Sequence, residues 1–211
     1  MTQLVMSVST LGIPESSQEK LIDFKSLFMK WNRSINLSGA RTEDQVELHI
    51  VDCLHAIPHL RTLVAASREA SSAESPSALD VGAGGGMPSV VAAICLPDLQ
   101  VTALEPVHKK CSFLRVAARE LALSNFVALA ERLEQHQRRD YGAAMSRATF
   151  DLREWLQLGQ SYVRPGGLVL GFEAVPRTDL PAGTQRHSYS LEGKARAIVV
   201  AERPPAGTAA Q

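Results

Sequence analysis

The spacing of apolar and polar positions divides the chain into a helical front, an alternating strand–helix middle and a strand-rich end. Leu21, Phe24, Leu27, Phe28 and Trp31 recur at helical spacing, which predicts a helix from about Gln18 to Asn32. Ser16 and Glu19 ahead of it fit a capping box. Val46, Ile50, Cys53, Leu54 and Ile57 form the stripe of a second helix, opened by the same pattern at Thr42 and Gln45 and stopped near Pro58. Residues 1–15 read as irregular. Residues 66–77, small and polar, read as a surface linker.

From Ser77 the period changes. Ser77–Val81 reads as a strand, Val90–Leu96 as a helix and Leu99–Leu104 as a second strand. A helix is expected over 108–123, with Phe113, Leu114, Ala117 and Leu121 facing inward. Strands follow at Phe126–Ala130 and Ala143–Ser146, then a helix patterned by Leu152, Trp155, Leu156, Gly159 and Tyr162. Arg164–Gly167 reads as a tight turn into a fifth strand, Leu168–Phe172. Ser188–Leu191 and Ala197–Ala201, joined by Glu192-Gly193-Lys194, read as a terminal hairpin. Strands alternating with helices predict an α/β fold: a Rossmann-like, mostly parallel seven-stranded sheet ending in an antiparallel hairpin. The expected organisation is an N-terminal helical extension over 1–65, an α/β domain over 66–203 and a disordered tail over 204–211.

Length and composition allow this. A chain of 211 residues that is 45% hydrophobic can build one medium domain with an appendage. The formal net charge is zero, so an RNA partner needs a local basic patch. Cys53, Cys95 and Cys111 are far apart with no CxxC, and read as reduced thiols of a cytoplasmic protein. No signal peptide or membrane span is apparent. The second helix carries His49, Asp52, Cys53, His55 and His59. Only His49 and Asp52 share a face, so this set reads as a buried hydrogen-bonded pair and no metal is expected.

The chemistry centres on Asp80-Val81-Gly82-Ala83-Gly84-Gly85-Gly86-Met87-Pro88-Ser89, a glycine corner between strand and helix. A dinucleotide fingerprint requires glycine where Met87 stands. Asp80 with Gly82, Gly84 and Gly86 instead makes D-x-G-x-G-x-G, which resembles the first motif of class I methyltransferases and implies S-adenosylmethionine. A carboxylate beside the turn suits a sulfonium and repels a pyrophosphate. Glu105, ending the second strand, is placed for the ribose hydroxyls. Leu133 and Glu134, past the third strand, are placed for the adenine edge. Arg147, ending the fourth, is placed to orient substrate or cofactor, or to pair with Asp80 or Glu134. Lys109, Lys110, Arg115 and Arg119 give the 108–123 helix a basic outer face suited to RNA phosphates.

Further motifs bring these together. Trp31-Asn32 with Ile35-Asn36-Leu37, His49-Ile50-Val51-Asp52 with Leu54, the glycine corner with Pro88, Lys110 with Phe113-Leu114 and Glu120-Leu121, Ser146-Arg147-Ala148 and Pro165-Gly166-Gly167 resemble the bacterial 16S ribosomal RNA guanine-N7 methyltransferases. These are also called glucose-inhibited division protein B. The resemblance runs from about Phe24 to Phe172. It implies methyl transfer from S-adenosylmethionine to guanine N7 in 16S rRNA or the 30S particle by a monomer. Gly82 and Met87 would then lie on the methionine and sulfonium side, with Arg147 as the arginine of S-R-A. The sequence departs from the family at Met87, usually phenylalanine or leucine, at Ser89, usually glycine, and at Glu173-Ala174, usually Lys-Gly. Alternative readings are a paralogue acting on another RNA, a protein or a small molecule, and a nicotinamide-dependent dehydrogenase or silent nucleotide-binding module.

Overall fold

The computed structural model describes residues 3–69 and 75–205. Its elements run α1 Gln3–Thr10, α2 Ser16–Ile35, α3 Glu43–Leu54, α4 Ile57–Glu69, β1 Ser77–Val81, α5 Ser89–Cys95, β2 Gln100–Leu104, α6 His108–Glu120, β3 Phe126–Leu129, β4 Tyr141–Ser146, α7 Leu152–Leu158, β5 Val163–Glu173, β6 Gln185–Leu191 and β7 Lys194–Glu202. The seven strands form one sheet in the order β3-β2-β1-β4-β5-β7-β6. The pairs from β3 to β5 are parallel; β7 runs antiparallel to both β5 and β6. The order reverses between β1 and β2 on one side and β4 on the other, which opens a ligand crevice at the carboxyl ends of those strands.

Successive strand residues point to opposite faces, and the core follows that period. Ala78, Leu170, Ile198 and Val200 face one buried cluster, shared with α2 to α6; Leu79, Val81, Val169 and Val199 face another, with Tyr141, Trp155 and Tyr162. The first cluster runs without a break from Leu4 to Val200, so the N-terminal helices pack into the same core as the sheet.

Several local expectations change. Residues 3–10 are helical, because Leu4 and Val8, one turn apart, are buried and the Leu4 amide donates to Glu47 at 3.0 Å. The Ser16–Glu19 capping box does not form. Ser16 already lies inside α2, and the N-cap position falls to Glu15 with no side-chain cap. Thr42 does cap α3, accepting from the Gln45 amide at 3.3 Å, while Gln45 reaches back to the Arg41 amide at 2.6 Å. The second helix ends at Leu54, and Pro58 sits in the first turn of α4, where its missing N–H costs nothing. Residues 66–69 of the expected linker belong to α4. Residues 70–74 lie outside the described residues, as do 206–211 of the expected tail. Gly166 has φ +75°, and its amide bonds to the Arg203 carbonyl at 2.8 Å. Pro165-Gly166-Gly167 therefore lies within β5, where the register against β4 shifts, and does not precede it. The hairpin forms as expected but longer, turning at Glu192 and Gly193 with φ +49° and +71°.

Candidate active site

A cleft of about 980 Å³ opens at the carboxyl ends of the parallel strands. Its floor is the corner between β1 and α5. The three alternate glycines, Gly82, Gly84 and Gly86, take φ of +72°, +55° and +82°. That is the region where a Cβ is penalised, and it explains their spacing. Gly82 and Ala83 amides both bond to the Leu104 carbonyl at 3.0 Å, tying the corner to β2. Gly85 lies against α2: a Cβ there would come within 2.3 Å of the Phe28 ring.

Glu105 binds the corner as well as the cleft. Its Oε2 accepts from the Gly84 amide and its Oε1 from the Val107 amide, both at 2.8 Å. A pyrophosphate would compete for the Gly84 N–H, which the carboxylate already uses, whereas a ribose can donate its hydroxyls to the remaining lone pairs. A Cβ added at Gly84 would meet the Gly82 carbonyl oxygen at 3.8 Å, an ordinary contact. Gly82, Gly84 and Met87 line the cleft alongside Glu105, Leu133 and Glu134. The donor set fits S-adenosylmethionine.

Asp80 and Gly86 are not among the cleft-lining residues. Asp80 is buried beneath the corner, where Oδ2 accepts the Ser89 amide at the start of α5 at 3.1 Å and Oδ1 has no partner. Burial pushes its carboxyl up to about 7, against the pull of the hydrogen bond from the Ser89 amide. Gly86 is packed against Val90 and Leu114.

The wall that carries Leu133 and Glu134 is a 3₁₀ turn, Leu133–Gln135. Tyr162 donates its hydroxyl to the Leu133 carbonyl at 3.1 Å. His136 follows the turn, held between Glu131 and the Tyr141 hydroxyl, the latter at 2.9 Å.

The opposite wall comes from the N-terminal helices. Phe28, Leu37, Gln45, Leu48, His49 and Asp52 line it. The Asn32 side chain shapes the connector, donating to the Ala40 carbonyl at 2.7 Å and accepting from the Ser38 amide at 2.9 Å. Arg147 reaches this wall from β4, with its Nε 2.9 Å from Asp52 Oδ2. The arginine's partner is therefore Asp52, not Asp80 or Glu134. Asp52 is half of the His49–Asp52 pair, and both members of that pair face the cleft, but they are not hydrogen-bonded to each other. His49 Nδ1 is buried without a partner, and burial together with the Arg147 charge holds its ring below the ordinary histidine range.

Of the four expected RNA-binding cations, one lines the cleft and the other three are exposed on α6. Lys110 lines the cleft, Lys109 is exposed, Arg115 bonds to the Ala128 carbonyl at 3.2 Å, and Arg119 lies 3.6 Å from Glu120. Sequence reasoning missed the cations of the hairpin. Lys194 and Arg196 line the cleft from β7, and Arg196 donates to the Ala174 carbonyl at 3.1 Å. Their two-residue spacing on one strand face was the available signal. Among the described residues no group of three metal-ligating side chains occurs, and no helix is long and apolar enough to cross a membrane.

The ribosomal RNA small subunit methyltransferase G of Methylobacillus flagellatus is 37% identical over 175 residues, 82% of this chain and 79% of that one. The enzyme of the same name from Aromatoleum aromaticum is 34% identical over 208 residues, covering 92% and 93%. In fold, the chain is similar to the magnesium protoporphyrin IX methyltransferase of Synechocystis, solved with bound S-adenosylmethionine. The TM-score is 0.53 at 14% identity, over 86% of this chain and 97% of that one. TrmN from Thermus thermophilus gives 0.50 at 21% identity, over 71% and 53%. The fold is that of the class I methyltransferases. The family model for GidB, rRNA small subunit methyltransferase G, matches residues 17–202, and this chain belongs to that family.

Proposed function

We propose that the protein transfers a methyl group from S-adenosylmethionine to N7 of a guanine in 16S ribosomal RNA. The observation that carries this reading is the pairing, across one cleft, of the glycine corner and Glu105 with the Asp52–Arg147 pair. Gly82, Gly84, Met87 and Glu105 would hold the cofactor's methionine and ribose, and Leu133 with Glu134 its adenine. When bound, the cofactor supplies a methyl group on a positively charged sulfur, open to direct displacement.

Guanine N7 carries an in-plane lone pair and releases no proton on methylation, so the protein needs no general base. Its task is positioning. Arg147 uses Nε on Asp52, which leaves its two terminal amino groups for the base. Guanine presents O6 beside N7, and a guanidinium is a good donor to O6. The methylated ring gains positive charge, which an unpaired arginine would oppose. Asp52 neutralises Arg147, and His49 stays uncharged near neutral pH, so the donor side of the site carries little net charge. Lys110, Arg132, Lys194 and Arg196 at the rim would take RNA phosphates, with Lys109, Arg115 and Arg119 extending that surface along α6. The protein would work as a monomer in the cytoplasm.

The test is methylation by the purified protein of protein-free 16S rRNA and of 30S particles from a strain lacking this activity, followed by nucleoside mass spectrometry. New 7-methylguanosine in either substrate is expected. Methylation of another base, or none on either substrate, overturns the reading.

A further inference from the structure

We propose that Tyr189 is a positioning residue for Arg147, acting through Asp52. This rests on the reading of Arg147 as the group that orients the substrate base. Asp52 is held at both oxygens: Oδ2 accepts from Arg147 Nε at 2.9 Å, and Oδ1 accepts from the Tyr189 hydroxyl at 2.6 Å. The three residues come from α3, the end of β4 and the middle of β6. A carboxylate bound at one oxygen can still turn about its last torsion, which is broad for aspartate. A second bond to the other oxygen removes that freedom and with it the freedom of the guanidinium. Both bonds join a charged group, which makes them short and strong.

The hydroxyl has little else to do. The Tyr189 ring stacks on His55 with centroids 3.7 Å apart and planes 10° apart, a contact that a phenylalanine would make equally well. From Gln185 to Ser188 β6 is exposed, and it is held to the sheet by its pairing with β7. The oxygen that distinguishes tyrosine from phenylalanine therefore serves Asp52. The consequence is that the terminal hairpin, remote in sequence from the glycine corner, helps set the geometry of the substrate side.

The experiment compares Tyr189→Phe, Arg147→Met and the double variant in single-turnover methylation of the rRNA substrate, with S-adenosylmethionine affinity by calorimetry and Tm for each. His55→Ala, which removes the stack and keeps the hydroxyl, is the control for packing. Tyr189→Phe is expected to slow methyl transfer about tenfold, the scale of one lost bond to a charged group. Its Tm and cofactor affinity should stay close to wild type. In the Arg147→Met background the same change should slow the reaction no further. A wild-type rate in Tyr189→Phe beside a slowed Arg147→Met overturns the proposal, as does an equal loss in both backgrounds. A loss that tracks a fall in Tm and is reproduced by His55→Ala also overturns it, as a packing effect. A wild-type rate in Arg147→Met instead overturns the role of Arg147, and a wild-type protein inactive on rRNA overturns the function.

Discussion

Asp52 and Arg147 lie 95 residues apart in the chain and 2.9 Å apart in the fold, with their side chains only 12% and 21% exposed. The pair links the N-terminal helices to the end of β4 across the mouth of the cleft. Removing the carboxylate leaves a guanidinium half-buried without its counter-charge. Asp52→Ala should cost roughly 2 kcal/mol in urea denaturation, below the full penalty of a wholly buried pair. It should also slow rRNA methylation by more than tenfold. An unchanged midpoint would mean that Arg147 finds water or another partner without loss.

Gly85 and Phe28 test the union of α2 with the glycine corner. An added Cβ would meet the Phe28 ring at 2.3 Å, inside a packed core. Gly85→Ala should destabilise by roughly 1–3 kcal/mol, the range of an overpacked site. Adding Phe28→Leu should recover part of that loss, whereas Phe28→Leu alone should destabilise. Additive losses in the double variant would show that the two residues do not meet.

Glu105→Gln isolates charge and acceptor count from size. Both carboxylate oxygens accept backbone amides, from Gly84 and Val107, so a glutamine must turn its NH₂ toward one of those donors. One amide then loses its acceptor, and the ribose loses a charged one. Calorimetry should show S-adenosylmethionine binding at least tenfold weaker, by the scale of a bond to a charged group. Equal affinity would remove Glu105 from the cofactor site.

Asp80 gives a pH signature. Its carboxyl is raised from 3.8 to about 7 by burial. Between those values the folded state holds a proton that the unfolded state has released, so this group's stabilisation is lost as pH rises from about 4 to 7. Asp80→Asn keeps an acceptor for the Ser89 amide and has no proton to lose. Its Tm should exceed wild type by about 3 °C or more at pH 8, with a smaller gap at pH 5. Parallel Tm curves would place the titration elsewhere.

His59 works in the opposite sense. Burial, then the nearby His187, lowers it from 6.5 to about 4. The two rings lie 4.2 Å apart between α4 and β6. The unfolded state takes the proton first as pH falls, so stability is lost on going from about 6.5 down to 4. In thermal melts His59→Gln should lose less Tm than wild type over that interval. A steeper loss in the variant would contradict the assignment.

The glycine corner, the strand–helix alternation and Glu105 were legible in the sequence because each is local. A positive φ needs glycine at its own position, a strand shows its period within five residues, and a strand end marks its own crevice. The family followed from short motifs of the same kind. Less local features were read only in part. The first helix was hidden because Leu4 and Val8 are too few to make a stripe. The whole of α4, Ile57–Glu69, was hidden because Pro58 marks a stop as readily as a first turn and the small polar residues after Val64 carry no period. Asp80 was read as a cleft residue, but it lies beneath the corner against the start of α5.

The partner of Arg147 was beyond any local reading. Residue types alone left Asp80 and Glu134 as candidates, and nothing in a linear chain brings Asp52 to β4. The same holds for Lys194 and Arg196, which reach the cleft, and for Tyr189, which reaches Asp52, only because β7 turns antiparallel and carries β6 with it. By itself the sequence determined the cofactor corner, since backbone conformation and side-chain period depend on near neighbours. Only the tertiary structure decided the wall opposite that corner, because it is assembled from charges that find each other after three separate elements have packed on one core.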